Sequence, residues 1–440
     1  MPAKDRKSTQ RERLIAGMIA AANHYGYAGA NVSQVIAYAG VSRPTFYDYF
    51  ADKDDCFLQT NRDIVGRLLE QIRDAVASVA PERALQAAIR RLIERAEAEP
   101  AQAQFLANVT MAGGPRALDE RDRAIAEIER IVEDARADAA PDALMPDLPI
   151  RALIGAAHWL LSPRLRRGER DLAQLADELV AWTERYNHPH GEHRWRTLEP
   201  GPAPPITPHV LEFSLHAPQA LPPGRSHLSS AEVARNQRER IMFATAEIAA
   251  RKGFTASTIA DITSAAHVDR RVFYSHFGDK QQAFLAVHEL AIHQIMAVGA
   301  RAFFSVVSWP ERIWQGILAA SQFQATYPTI SHMGYVEAHA VGPPAIQRIE
   351  DSHRAFAIFL QEGNQHTSDP PSVTVTEAII AAIFEIGYHQ TRGGHAGALT
   401  SNAYHATYLA LAPYLGPRAA NEFVDGKLRE VASLSPAPAG

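Results

Sequence analysis

Apolar residues recur at helical spacing along most of this chain. Leu14, Met18, Ala21 and Tyr25 mark one face of a helix over about residues 9–24. Gly26 closes it, as a C-terminal glycine does by accepting the left-handed conformation. Asn31, with Gln34 three residues on, is a capping-box pattern that opens a short helix with Val35, Ile36 and Ala39 turned inward. Gly40-Val41 makes a tight turn, Ser42 caps a third helix running to Phe50, and Asp52 caps a long fourth. Helix, helix, short turn, helix is the helix-turn-helix order, in which the last helix enters the DNA major groove. Residues 62–187 continue as helices, at about 62–78, 82–98, 101–112, 116–139, 150–162 and 170–187, punctuated by Pro81, Pro100, Pro115, Pro146 and Pro149. No strand-like alternation interrupts them.

The pattern then repeats. Seven of the thirteen positions 41–53 recur unchanged at a shift of 227: Val41/Val268, Arg43/Arg270, Phe46/Phe273, Tyr47/Tyr274, Phe50/Phe277, Asp52/Asp279 and Lys53/Lys280. The register holds back to Gln10-Arg11-Glu12-Arg13 over Gln237-Arg238-Glu239-Arg240. Thr258 with Asp261 matches Asn31 with Gln34, and Ser229 to Glu232 is a capping box opening the second long helix. Pro81-Glu82-Arg83 recurs as Pro310-Glu311-Arg312, and Gly114-Pro115 as Gly342-Pro343. The repeat is therefore a whole module, duplicated in tandem. Nine prolines between Pro189 and Pro223 mark a linker over 188–228. Val210, Leu211, Phe213 and Leu215 suggest that it packs on a neighbouring surface as an ordered tether.

Charge adds a little to this picture. The net charge is −5, yet residues 1–60 carry seven basic against six acidic groups, and 225–285 carry nine against six. Positive charge held in two blocks of an acidic chain fits local contact with a polyanion, with Lys4, Arg6 and Lys7 as a mobile basic arm. Cys56 is the one cysteine, so no intrachain disulfide can form, and it is expected in a helix core. His188, His190 and His193 lie close together but have no acid or thiol partner, so they are expected as surface histidines and not a metal site. No apolar run approaches about 18 residues, so no membrane span is expected.

Ala39-Gly40-Val41-Ser42, Thr45-Phe46-Tyr47-Asp48-Tyr49-Phe50 and Lys53 with Phe57-Leu58 resemble the tetracycline-repressor (TetR) family of bacterial transcription regulators. The resemblance is specific over 10–60 and 237–287 and rests on length and helical order elsewhere. It implies an all-α chain of two fused modules. Each has a three-helix reader (1–60 and 229–287) and a helical domain that binds an effector and dimerises (61–187 and 288–434). It also implies an intrachain pseudo-dimer in the bacterial cytoplasm, with further homodimerisation open, no enzymatic activity, and no cofactor or metal. The last two helices of each module, about 150–187 and 373–416, would build the interface. Ala152, Ile154, Ala156, Trp159 and Leu160 would face Ala378, Ile380, Ala382, Phe384 and Tyr388 there.

The expected partner is a double-stranded DNA operator. Arg43, Pro44, Thr45 and Tyr49 in the first reader, and Arg270, Arg271, Val272 and His276 in the second, stand where base edges are read. Tyr47 and Tyr274 resemble the family's phosphate-binding tyrosine, and Lys53, Lys280, Asn31 and Thr258 are placed to hold phosphates as well. Unlike recognition helices should prefer unlike half-sites. His267 stands where the first copy has Gly40, so a turn needing positive φ would strain it. Residues 66–186 hold four aromatic residues and 293–415 hold fourteen. That contrast places an apolar or aromatic organic effector in the second half, with Phe323, Tyr327, Tyr335, His339, Phe356, Phe384 and Tyr388 as its candidate contacts. The alanine-rich first half is expected to be a tighter, ligand-free partner. Effector binding would move the two recognition helices away from a spacing of about 34–36 Å, one DNA turn. The rival reading is a small-molecule-binding or scaffold protein with one working reader or none. No nucleophile elbow, glycine-rich phosphate loop or zinc spacing favours an enzyme.

Overall fold

A computed structural model describes residues 3–212, 215–219 and 228–434, with side chains from residue 9 onward. The side chains of Lys4, Arg6 and Lys7, and Phe213 of the linker, lie outside the described residues. The chain packs as two units, 1–196 with 372–378 and 197–371 with 379–440.

The first unit contains helices α1 (Ala3–Gly29), α2 (Val32–Ala39), α3 (Arg43–Tyr47), α4 (Lys53–Ala77), α5 (Ala84–Ala98), α6 (Pro100–Gln104), α7 (Pro115–Arg136), α8 (Ile150–Arg166) and α9 (Ala173–Glu184). In the linker lies α10 (Pro208–Leu211). The second module has α11 (Ser230–Lys252), α12 (Ile259–Ala266), α13 (Arg270–His276), α14 (Lys280–Phe303), α15 (Trp309–Thr326) and α16 (Pro328–His332). It continues with α17 (Ala338–Val341), α18 (Pro343–Ala357), α19 (Val373–Arg392), α20 (Ala403–Leu415) and α21 (Pro417–Leu434).

Local chemistry accounts for most boundaries. The expected capping boxes form at Asn31/Gln34, Ser229/Glu232 and Thr258/Asp261. Asp52 and Asp279 accept from the third backbone N–H of α4 and α14. Gly26, at φ 71°, kinks α1 where the helix was expected to end, and one further turn follows. Gly114 and Gly342 take φ 77° and 100°, so the repeated Gly-Pro pair is a left-handed N-cap followed by proline in the first helical turn. Each module also carries a π-helical turn at the same place, 105–109 and 333–337.

Two expectations need correction. A short antiparallel ribbon, β1 (Leu144–Pro146) with β2 (Asn187–Pro189), interrupts the helices. It exists because residues 187–196 are folded onto the first unit and are not free linker. Trp195 is buried, and buried Asp147 accepts from the backbone N–H groups of Arg194 and Trp195. The histidines are accordingly not a solvated cluster. His188 is buried, and His193 Nε2 lies 3.1 Å from the Met145 carbonyl and 3.0 Å from that of His188. Burial, reinforced by Arg196, pushes His193 down to about 4. Among the described residues, no group of three or more His, Cys, Asp or Glu is placed to hold a metal.

The remaining linker is tied to the second unit. Gln322 Nε2 donates to the Pro205 carbonyl (2.6 Å), and Gln322 Oε1 accepts from Thr207 N–H (2.9 Å). Tyr404 donates to the Pro202 carbonyl, and Arg301 pairs with Glu212. Val210 and Leu215 are buried, whereas Leu211 is exposed. One described helix, α14, is long and apolar enough to cross a membrane by length and composition. It is apolar on several sides because it packs along α15 and also walls a cavity; Glu289, His293 and Arg301 are exposed and interrupt its outer surface.

Candidate nucleic-acid interface and ligand cavities

In each reader a phenylalanine pair pins the recognition helix. Phe46 and Phe50 are fully buried in the first, and Phe273 and Phe277 in the second, with ring centroids 5.7 and 6.0 Å apart. Leu14, Met18, Val35 and Ala39 complete the first core, and Cys56 lies within it, its thiol raised to about 12 by burial. With the inner face fixed, the outer face presents Arg43, Pro44 and Tyr47 to solvent in one copy and Arg270, Arg271 and Tyr274 in the other. Thr45, Tyr49, Val272 and His276 are partly covered.

Several of these groups are held in place. Arg43 Nη2 donates to Ser33 Oγ (2.7 Å), Thr45 Oγ1 lies 2.8 Å from Ser42 Oγ, and Tyr49 donates to Gln10 Oε1 (3.2 Å). Arg270 Nη2 donates to the Tyr274 hydroxyl (3.2 Å) and its guanidinium lies over that ring. Burial, with Arg238 nearby, lowers the His276 pKa, which favours a neutral imidazole. The first recognition helix is shorter than expected, ending at Tyr47. Phe50 N–H still bonds the Phe46 carbonyl, so a helical turn carries through to Phe50.

A pair of arginines at matching positions carries a role that the repeat alone did not disclose. Arg13 donates to the Gly40 carbonyl, and Arg240 donates to the carbonyls of Ala266 and His267. Each ties α1 or α11 to the turn before the recognition helix. That turn does need positive φ: Gly40 sits at 60° and His267 at 48°, the one non-glycine residue with positive φ among those described. The strain in a non-glycine residue there is about 1–2 kcal/mol, which the Arg240 bonds help to hold.

The two lysines behave differently from a free phosphate ligand. Lys280 Nζ donates to the carbonyls of Phe254 (2.8 Å), Thr255 (3.1 Å) and Ser257 (2.8 Å). An ammonium has three donors, so none remains for a phosphate, and burial lowers its pKa. Lys53 Nζ bonds one carbonyl, Tyr27 O at 3.1 Å, and stands over the Tyr27 ring. Both lysines thus clip the loop before the second helix, and only Lys53 keeps donors to spare. Lys280→Met should cost the second reader about 2–4 kcal/mol, and Lys53→Met the first about 1–2 kcal/mol, because charged hydrogen bonds are lost in unequal number. Amide hydrogen exchange in α12 and α2 reads the difference; equal losses of protection would contradict the clip.

The helical domain of each module encloses a cavity. The second-unit cavity is about 190 Å³, walled by α14, α15, α18 and α19 together with the π-helical turn. Of the candidate effector contacts, Phe323, Tyr327, Tyr335, Phe356 and Phe384 line it; His339 and Tyr388 are buried elsewhere and do not. His288 and His353 line it instead, and burial holds them at about 4 and about 3, hence neutral. The polar groups on the wall are thus uncharged: these imidazoles, Gln324, and Tyr335, whose hydroxyl accepts from Gln324 Nε2 at 2.7 Å. Ile380 and Phe384 line this cavity, and Ile154 lines one in the first unit. The first unit is not packed as tightly as its alanine-rich composition suggested: it encloses about 150 Å³.

A pinned three-helix core, an arginine-braced turn and a solvent-facing recognition helix, present twice, define a helix-turn-helix DNA-binding regulator with two readers. Residues 14–60 and again 241–287 match the bacterial regulatory proteins of the tetR family. The chain thus carries that family's DNA-binding domain twice in one polypeptide. Similar solved structures include the fatty acid degradation regulator FadR from Bacillus halodurans, 16% identical, covering 40% of this chain and 94% of its own (TM-score 0.35). A tetR-family regulatory protein from Rhodococcus RHA1 is 20% identical, covering 44% and 96% (TM-score 0.33). No curated protein matches this chain.

Proposed function

We propose that this chain is a ligand-released repressor that works as a single-chain pseudo-dimer on an asymmetric operator. The observation that carries this reading is the division between shared and unshared residues on the two recognition helices. Tyr47/Tyr274 and Arg43/Arg270 are common to both, whereas Pro44/Arg271, Thr45/Val272 and Tyr49/His276 differ. Shared groups suit the common phosphate backbone and unshared groups suit different bases. Joining the modules in one chain gives each reader a high effective concentration of the other.

Release by a ligand is supported by one bond in the second unit. Glu337, on the π-helical turn that also carries cavity residues Gly334 and Tyr335, accepts from Phe254 N–H at the end of α11 (2.6 Å). A ligand that displaces this turn therefore pulls on the first helix of its reader. The cavity suits an uncharged aromatic molecule carrying hydroxyl or amide groups, since its polar wall groups are neutral.

Tyr47→Phe with Tyr274→Phe tests the phosphate role. Each change should cost about 1–2 kcal/mol of DNA affinity through one lost charge-assisted hydrogen bond. The salt slope should stay unchanged, since no cation is removed. Unaltered affinity for a duplex selected by the native chain would remove the tyrosines from the interface.

A further inference from the structure

The cavity of the first unit differs in chemistry from that of the second. Its walls are aliphatic, including Ile64, Leu68, Leu92, Leu106, Ile128 and Leu161, and the one ring on them is the His158 imidazole. Small residues at Ala96, Ala103, Ala107 and Ala124 leave the space open between α4, α5, α7 and α8. Its charged wall residues are Arg95, Arg121 and Glu99, two cations against one anion. Gln102 already engages Glu99, donating to its Oε2 (3.2 Å), and accepts from Arg95 Nη2 (2.8 Å). Arg95 Nε is buried and has no hydrogen-bond partner. Buried donors are normally hydrogen-bonded, and an acceptor supplied by a ligand would satisfy this one. Asn61 Nδ2 donates to Thr110 Oγ1 at 2.8 Å, and that hydroxyl donates to the Phe105 carbonyl at 3.3 Å.

We infer that the first unit binds an aliphatic molecule ending in a carboxylate, whose head group takes the unused Arg95 Nε. A carboxylate entering an apolar chamber must meet a cation and hydrogen-bond donors, and the planar guanidinium supplies both in matching geometry. The tail finds aliphatic walls without ring faces to stack upon. The chain then has two ligand chambers of unlike preference, an aliphatic acid in one and a neutral aromatic in the other. The inference rests on the reading of the helical domains as ligand-binding, and it does not depend on how DNA is read.

The test is calorimetric titration of the full chain, without DNA, with hexanoate, octanoate and decanoate, and with octan-1-ol and octylamine as head-group controls. Octanoate should bind at one site and more tightly than octan-1-ol, with affinity rising about fourfold per added methylene. Arg95→Gln should weaken octanoate about tenfold or more and leave octan-1-ol unchanged. Filling the chamber with Ile128→Trp should abolish octanoate binding, while Ala320→Trp in the second-unit cavity should leave it intact. If Ile128→Trp does not fold, judged by circular dichroism, Ala124→Leu serves the same purpose. Tighter binding of octylamine would hand the head-group role to Glu99 and overturn the inference. So would an unchanged octanoate affinity in Arg95→Gln, or loss of octanoate binding in Ala320→Trp. Because binding itself is read, a failure of ligand-driven DNA release would leave these results as they stand.

Discussion

Phe46→Ala should unfold the first reader and abolish high-affinity DNA binding while leaving the rest of the chain folded. The ring is fully buried against Phe50 and the α1–α2 core. Truncating such a ring costs about 3–5 kcal/mol in lost burial and residual cavity. A three-helix reader has little to spare, since whole domains are stable by only about 5–15 kcal/mol. Phe273→Ala should act the same way on the second reader. Each variant should retain most of its helical circular dichroism but lose hydrogen-exchange protection in one reader alone. Retained DNA affinity in either variant would mean that the corresponding reader is dispensable, and would favour a chain with one working reader.

Acidification should destabilise the second unit well before the carboxylates titrate. His288 and His353 are buried neutral on the cavity wall, held near 4 and 3 against 6.5 for a free histidine. The unfolded chain binds their protons first as pH falls. Their contribution to stability is therefore complete above about pH 6.5 and is lost as pH drops towards the folded values. Between pH 7 and 5 each should remove about 2 kcal/mol, on the order of 4 kcal/mol for the pair. Thermal unfolding at the two pH values measures this, and His288→Gln with His353→Gln should flatten the dependence. A native-chain melting temperature that does not fall between pH 7 and 5 would show that these imidazoles are not held neutral by burial.

The readers were largely legible because their determinants are local. Asn31/Gln34, Thr258/Asp261, Ser42 and Asp52 cap helices through contacts three residues away, and the phenylalanine pairs stand at helical spacing. What escaped detection depends on distance along the chain. Arg13 and Arg240 reach carbonyls 26 or 27 residues on, and Lys280 reaches back 23 to 26 residues, so sequence spacing carries no sign of either. Identical spacing in the two copies was the one available signal. The folding-back of residues 187–196 depends on Asp147, which lies about 50 residues upstream.

The cavities show a different limit. Aromatic content indicated where the larger one lies, yet Trp309, Trp314, Tyr404 and Tyr408 are buried in core and do not line it. Alanine content suggested tight packing in the first unit, but small side chains at Ala96, Ala103, Ala107 and Ala124 are what leave its chamber unfilled. Composition reports how much side-chain volume is present; whether neighbouring helices close over the missing volume is a tertiary matter.

Selection of bound duplexes from random-sequence DNA by the intact chain should recover a site of two unlike half-sites about one helical turn apart. Thr45→Val with Pro44→Arg, which gives the first helix the second's residues at those positions, should shift one half-site towards the other. Recovery of a palindrome, or of a single half-site, would rule out a single-chain pseudo-dimer on an asymmetric operator.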